Sequence, residues 1–338
     1  MAPFYDARGN IYAVISPEAL RALGVALPDS AAGAAANRRN WTDKAVALIC
    51  DWPAGQRPAG SKPHRSDGLL VGPFQRDSSK SGGPFDVLIV NTDGTLAERS
   101  GNGLTIFSQS LTDNRTVSAA EGFTLNVHHD GADSLSPAPT RVDPATVDGV
   151  NGFWLDIGTP GFGPAAVSAK GAGVGEANLN GRTVSRVQRL AELHGDWQTS
   201  VFVRVGNPHC VTLVSDENAL PSFEQLHEEP LNQALTRIAF TAGEFGSGDP
   251  CPAGVNLQWA ARLDDTRILA RVFERGEGPT ASSGTSASAV ASAAWFSGWV
   301  KAGQVEVIMP GGTAPVRLLE ENGRLQQVQL FGTAVIKA

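Results

Sequence analysis

The sequence predicts an α+β protein of many short strands and two buried helices. Glycine and proline are abundant, at 38 and 21 of 338 residues, and only 18% of residues are charged. That balance belongs to a compact chain rich in turns and strands, long enough for two domains and a sizeable core. The two helices announce themselves alike: Ser100-Gly101-Asn102-Gly103 and Ser283-Gly284-Thr285-Ser286 each open an apolar run.

Taken in order, residues 4–7 and 11–15 read as strands about the turn Arg8-Gly9-Asn10. Asn10 would serve there simply as a turn residue that tolerates left-handed backbone. Residues 17–23 and 40–51 suit short helices, 53–66 a loop, 69–71 a strand, and the polar stretch 75–84 a hairpin tip. The strand 85–90 feeds Asn91 and the turn Thr92-Asp93-Gly94. Behind Ser100, Leu104, Phe107 and Leu111 fall at helical spacing and Ile106 widens the stripe, which marks a buried helix. Residues 122–128, 152–157, 200–205 and 210–214 read as strands, with loop-like 132–147 and 168–182 between them. Gly206-Asn207-Pro208-His209-Cys210 reads as a tight turn, and Asn-Pro alone explains one. Strands at 254–260 and 267–273 deliver the turn Glu274-Arg275-Gly276-Glu277-Gly278. The second helix is nearly all small, with Ala287, Ala289, Ala291, Ala293 and Ala294, so sheet backbone can close on it. Strands at 305–309, 316–319 and 327–336 end the chain.

Composition excludes several roles. A net charge of −7 and a pI near 5.4 argue against nucleic acid or an anionic membrane as partner. The most apolar window, residues 287–300, is too short to span a bilayer, and residues 1–16 lack a signal-peptide pattern. Cys50, Cys210 and Cys251 show no paired spacing, which fits a reducing cytoplasm. His128 and His129 are adjacent on a strand end and point to opposite faces; His209 and Cys210 add no ligand spacing, so no metal is expected.

The two helix starts carry the chemistry. Glycine beside a helix N-terminus leaves backbone N–H groups uncovered, and the helix dipole favours an anion such as a carboxylate. Two such tips suggest two half-sites facing one another. Serine at each tip has an equally good structural role as an N-cap.

Several motifs in order resemble the diaminopimelate epimerase family of cofactor-independent amino-acid racemases and epimerases. They are Gly9-Asn10, Asp67-Gly68-Leu69-Leu70, Asn91-x-Asp93-Gly94, Glu98-x-Ser100-Gly101-Asn102-Gly103, Gly206-Asn207-Pro208-His209-Cys210, Val255-Asn256, Glu274-Arg275-Gly276-x-Gly278 and Ser283-Gly284-Thr285. The resemblance implies two pseudo-symmetric domains, each a β-sheet or barrel wrapped around a central helix, here residues 1–117 with 326–338, and 118–325. It implies that the last strand returns to the first domain. It implies a small-molecule amino acid as partner and no cofactor, with a place in amino-acid metabolism such as lysine biosynthesis; a homodimer is left open. Asn10, Asn91, Asn207, Asn256, Glu274 and Arg275 would hold the substrate's polar ends, and Gly101, Asn102, Gly284 and Thr285 its carboxylate.

One departure governs the mechanism. The family places cysteines on both sides of Cα, one taking the α-proton while the other delivers one; Ser100 and Ser283 stand at those positions. A thiol titrates near 8.5 and a hydroxyl about as reluctantly as water, near 15.7, a gap of roughly 7 units or about 10 kcal/mol. A helix dipole offers at most ~2 kcal/mol. The serines therefore need another base, and His209 could assist only within hydrogen-bond reach. Ile11-Tyr12 and Pro279 also depart from the family pattern. Three readings follow: a two-base epimerase with Ser100 and Ser283 as catalytic residues, a one-base isomerase or dehydratase using a carboxylate such as Glu274 or Asp93, and a silent amino-acid binder.

Overall fold

The computed structural model describes residues 2–74, 83–131, 135–170 and 173–337. Most of the expected hairpin tip at 75–84 lies outside them. The chain divides into two compact units, Met1–Asp156 with Gly332–Ala338, and Ile157–Phe331.

Within the first unit, strands Phe4–Ala7 and Asn10–Ile15 form an antiparallel hairpin. Asn10–Ile15 runs parallel to Gly68–Val71, which is antiparallel to Phe85–Asn91. The helix Gly101–Asp113 follows. Phe123–Val127 then pairs in parallel with Phe85–Asn91 and leads an antiparallel meander through Ala138–Val147 and Val150–Gly158.

The second unit repeats this order. Ser200–Val205 and Asn207–Val214 form the hairpin; Asn256–Arg262 lies parallel to the latter and antiparallel to Arg267–Glu274. The helix Gly284–Phe296 follows, then Gly303–Met309, parallel to Arg267–Glu274, and the meander through Gly312–Glu321 and Arg324–Gly332. The short Ser-Gly echo in the sequence is thus the surviving trace of a strand-by-strand duplication. The last strand, Val335–Lys337, pairs with Phe4–Ala7, as the resemblance implied.

The duplication corrects the expected domain bounds. Each half needs its own meander to finish its sheet, so the first unit runs to Asp156 and not to 117. The second keeps its closing strand to Phe331, and the return begins at Gly332 rather than 326. The meander also overturns the loop at 132–147: residues 138–147 are a strand whose prolines, Pro139 and Pro144, disguise it. The loop at 168–182 is corrected likewise. Val174–Leu179 and Arg182–Val187 form a hairpin about Asn180-Gly181, both at positive φ, the turn whose twist matches paired strands.

Both central helices are buried along most of their length, for different reasons. Gly101–Asp113 buries Leu104, Ile106, Phe107 and Leu111. Gly284–Phe296 is buried at every position through Ala294, and small side chains let strands approach it. Gly298, at φ +77, ends it; Trp299 N donates to Ala294 O at 2.8 Å. Alternation on each sheet separates two layers. In the first unit Leu70 reaches the helix start at Gly103, while Leu69 and Val71 pack with Trp41, Val46 and Ile49, the latter two on the helix Thr42–Ile49. In the second, Leu257, Trp259 and Phe273 pack under Leu226, Leu235 and Ile238, the latter two on the helix Leu231–Ala239.

Gly332 lies against the side chain of Thr105, one turn into the first central helix, and a methyl group there would collide with it. Gly332→Ala is expected to cost about 1–3 kcal/mol by overpacking. Urea unfolding should show a lower midpoint with an unchanged m-value.

Candidate active site

In the first unit, three neighbouring strands bring polar groups to one sheet end. Tyr12, Gly68 and Asn91 lie side by side in register, with Asn10 just before Tyr12. Asp67 fixes the Asn10 turn, its Oδ2 accepting from Ile11 N at 2.8 Å and its Oδ1 from Lys62 Nζ at 2.6 Å. The left-handed residues of that turn are Arg8 and Gly9, so Asn10 is not needed for the turn geometry. Its Oδ1 is buried without a partner among the described residues. Such an acceptor is costly unless a ligand supplies a donor. Asn91 holds its own turn through Nδ2 to Thr95 Oγ1 at 2.9 Å. Asp93 Oδ1 accepts from Thr95 N and Oγ1 at 2.9 and 2.6 Å, which commits it to the turn.

Ser100 caps the first helix: its extended backbone (φ −137°, ψ 116°) lets Oγ accept from Gly103 N at 3.1 Å, and its carbonyl takes Leu104 N. The N–H groups of Gly101 and Asn102 remain, as the first turn of an α-helix requires.

The second unit has the same plan. Asn207, Asn256 and Glu274 sit near the ends of three neighbouring strands, His209 opposite Asn256 and Leu257 opposite Phe273. The turn before Asn207 is tighter than expected: only Gly206, at φ +68, separates Val205 from its partner Asn207. Asn256, buried, accepts from Arg275 N at 2.8 Å through Oδ1, and Arg275 Nη1 donates to Ala253 O at 2.8 Å. Gly284 and Thr285 open the second helix with N–H groups left over from capping.

Ser283 behaves differently from Ser100. Its Oγ lies 3.4 Å from Ser286 N, a long cap, and donates to Glu274 Oε1 at 2.7 Å. Glu274 is half-buried. Withdrawal of its carboxyl from water, then the like charge of Glu277, raises its pKa to about 7, against the opposing hydrogen bond from Ser283. A carboxyl titrating there can take or give a proton at neutral pH.

His209 does not reach Ser283 as a base. It is fully buried, and its Nδ1 accepts from Gln258 Nε2 at 3.0 Å. Burial, then the charge of Arg275, pushes its pKa down to about 3, so the ring is neutral. Gln258 and its other partner, Ser286, escaped sequence reasoning. The available signal was one amide among the apolar residues 257–261 of the strand Asn256–Arg262.

Among the described residues, no group of three or more His, Cys, Asp or Glu could hold a metal ion, and no helix is long and apolar enough to cross a membrane.

Comparison with known proteins follows the same line. Residues 201–336 match the family described as Diaminopimelate epimerase. The chain is 28% identical over 318 residues to "Diaminopimelate epimerase 2" of Nostoc sp., covering 94% of this chain and 88% of that protein. It is 27% identical over 318 residues to a diaminopimelate epimerase of Mycolicibacterium vanbaalenii, with 89% of each covered. Among solved structures it resembles methylitaconate-delta-isomerase (TM-score 0.59, 15% identity, 100% of this chain and 93% of that one). It also resembles a probable proline racemase from Agrobacterium radiobacter K84 (TM-score 0.56, 13% identity, 100% and 91%). Duplicated halves and these likenesses define an isomerase scaffold of the epimerase and racemase class. By sequence the chain is similar to diaminopimelate epimerases, with the family match confined to residues 201–336.

Proposed function

We propose that the protein is a pyridoxal-free epimerase or racemase that moves the α-proton of an amino acid. Diaminopimelate is the first substrate to try, because the relatives carry that name. In this reading the N–H groups at Gly101-Asn102 and Gly284-Thr285 take carboxylate, and the asparagines with Arg275 fix the remaining polar groups.

The observation that carries the proposal is the 2.7 Å hydrogen bond from Ser283 to Glu274. A serine hydroxyl alone is too weak an acid to exchange protons at Cα. A carboxylate titrating near 7 beside it is matched to proton transfer at neutral pH. Glu274 acts as the base, with Ser283 orienting it and sharing the proton, and the return of a proton on inversion falls to Ser100.

A one-base isomerase is the second reading, and asymmetry favours it: Ser100 has no carboxylate partner among the described residues. Incubation in D2O with diaminopimelate and a broad amino-acid panel separates the readings. Deuterium at Cα with inverted configuration supports epimerisation. Deuterium with retention, or a new or shifted double bond, supports the one-base route. No exchange at high enzyme concentration across the panel sinks both and leaves a binder.

A further inference from the structure

We propose that Gln258 is a positioning residue: by tying Ser286 to the sheet, it holds the Ser283 hydroxyl on Glu274 with only a long bond to its own helix cap. This rests on the functional role given to Ser283 and Glu274 above.

A capping serine normally commits its oxygen to the N–H three residues on. Ser100 does so at 3.1 Å, whereas Ser283 stands 3.4 Å from Ser286 N and turns its proton to Glu274. With the cap this long, the first turn of the helix needs a second tie. Gln258 supplies it, donating from Nε2 to Ser286 Oγ at 3.0 Å. The same nitrogen donates to His209 Nδ1 at 3.0 Å, so both amide hydrogens are used and the amide cannot swing. A neutral imidazole offers one acceptor nitrogen, which suits this arrangement. All three side chains are fully buried.

Gln258 also sits where the tie matters. Its strand pairs Gln258 with Val272 and Leu257 with Phe273, one residue before Glu274. The amide therefore connects the helix tip to the strand pair that presents the carboxylate. It does so at a cost, because Gln258 Oε1 is buried without a partner among the described residues. An apolar side chain would avoid that cost, so the amide is kept for the bonds it makes.

The test reads the Glu274 carboxyl directly, by NMR titration of protein carrying 13C-labelled glutamate, assigned with Glu274→Gln. Gln258→Leu and Ser286→Ala each remove the tie, from its two ends, and either alone suffices if the other fails to fold. Loss of the Ser283 hydrogen bond removes a contact that favours the charged carboxylate. The Glu274 midpoint should therefore move up by about one pH unit. In a Ser283→Ala background neither variant should move it further. Glu277 and Arg275 on the same turn are untouched, and His209 stays neutral, since burial first and then the charge of Arg275 hold its ring uncharged. An unmoved midpoint in a folded variant, or a shift that persists without Ser283, overturns the proposal. No substrate is needed, so absence of deuterium exchange would sink the functional reading without touching this result. With an active substrate, Gln258→Leu should lose kcat on the order of tenfold with KM little changed.

Discussion

Glu274→Gln is expected to slow α-proton exchange by about 10²–10⁴-fold, the usual contribution of a positioned general base. The amide keeps an oxygen for Ser283 to donate to, so geometry survives while basicity is lost. Substrate binding should weaken far less than turnover, which separates a lost base from a lost ligand contact. The wild-type rate should rise with pH through about 7, because the base must be ionised and its carboxyl titrates there. The same raised pKa bears on stability. A carboxyl normally titrating near 4.3 is held protonated by the folded state, so its contribution is full below about 4.3 and is lost as pH rises through about 7. Glutamine has no such pH dependence. Glu274→Gln should therefore have a higher Tm than wild type at pH 8, and this advantage should vanish near pH 4. A variant that loses activity together with stability at pH 8 would mean that Glu274 is a structural carboxylate.

The legible parts of the chain were those where one residue type has one physical use. Glycines at 101 and 284 behind serines read as helix tips because little else explains Ser-Gly-polar before an apolar run. The strands 4–7, 200–205 and 267–273 were bounded by turn residues and fall almost where expected. What escaped depended on partners far along the chain. The strand Ala138–Val147 owes its state to neighbours on both sides, and its prolines argued locally against it. The hairpin about Asn180-Gly181 was overlooked because its strands are polar and mostly exposed, although the turn signal was present. Leu231–Ala239, with Leu235, Ile238 and Ala239 buried on one face, is an ordinary amphipathic helix that a moment-based reading recovers. In the candidate site, the hydrogen-bond commitments of the residues were not legible. Asp93 and Glu274 were equal candidates for a base in sequence; their hydrogen bonds separate them, one closing a turn and the other meeting Ser283.

Cysteines placed at the two tips should titrate apart. Ser100→Cys puts a thiol at the N-terminus of a 13-residue helix with no carboxylate partner among the described residues. Its pKa should fall below 8.5, since a helix start favours the thiolate. Ser283→Cys puts the thiol beside Glu274, whose charge above pH 7 opposes a second anion. That thiol should titrate above the first, and adding Glu274→Gln should bring it down. Alkylation rate against pH measures each separately. The double variant then tests the chemistry. Replacing a hydroxyl by a thiol removes a proton-affinity gap of roughly 7 units, about 10 kcal/mol in the most favourable case. Even a small fraction of it would raise α-proton exchange 10²-fold or more over the wild type. Racemic product from the double variant, with little from either single one, would mean that both tips are needed for inversion. Equal activity in Ser283→Cys alone would assign the chemistry to the second unit and leave Ser100 as a cap.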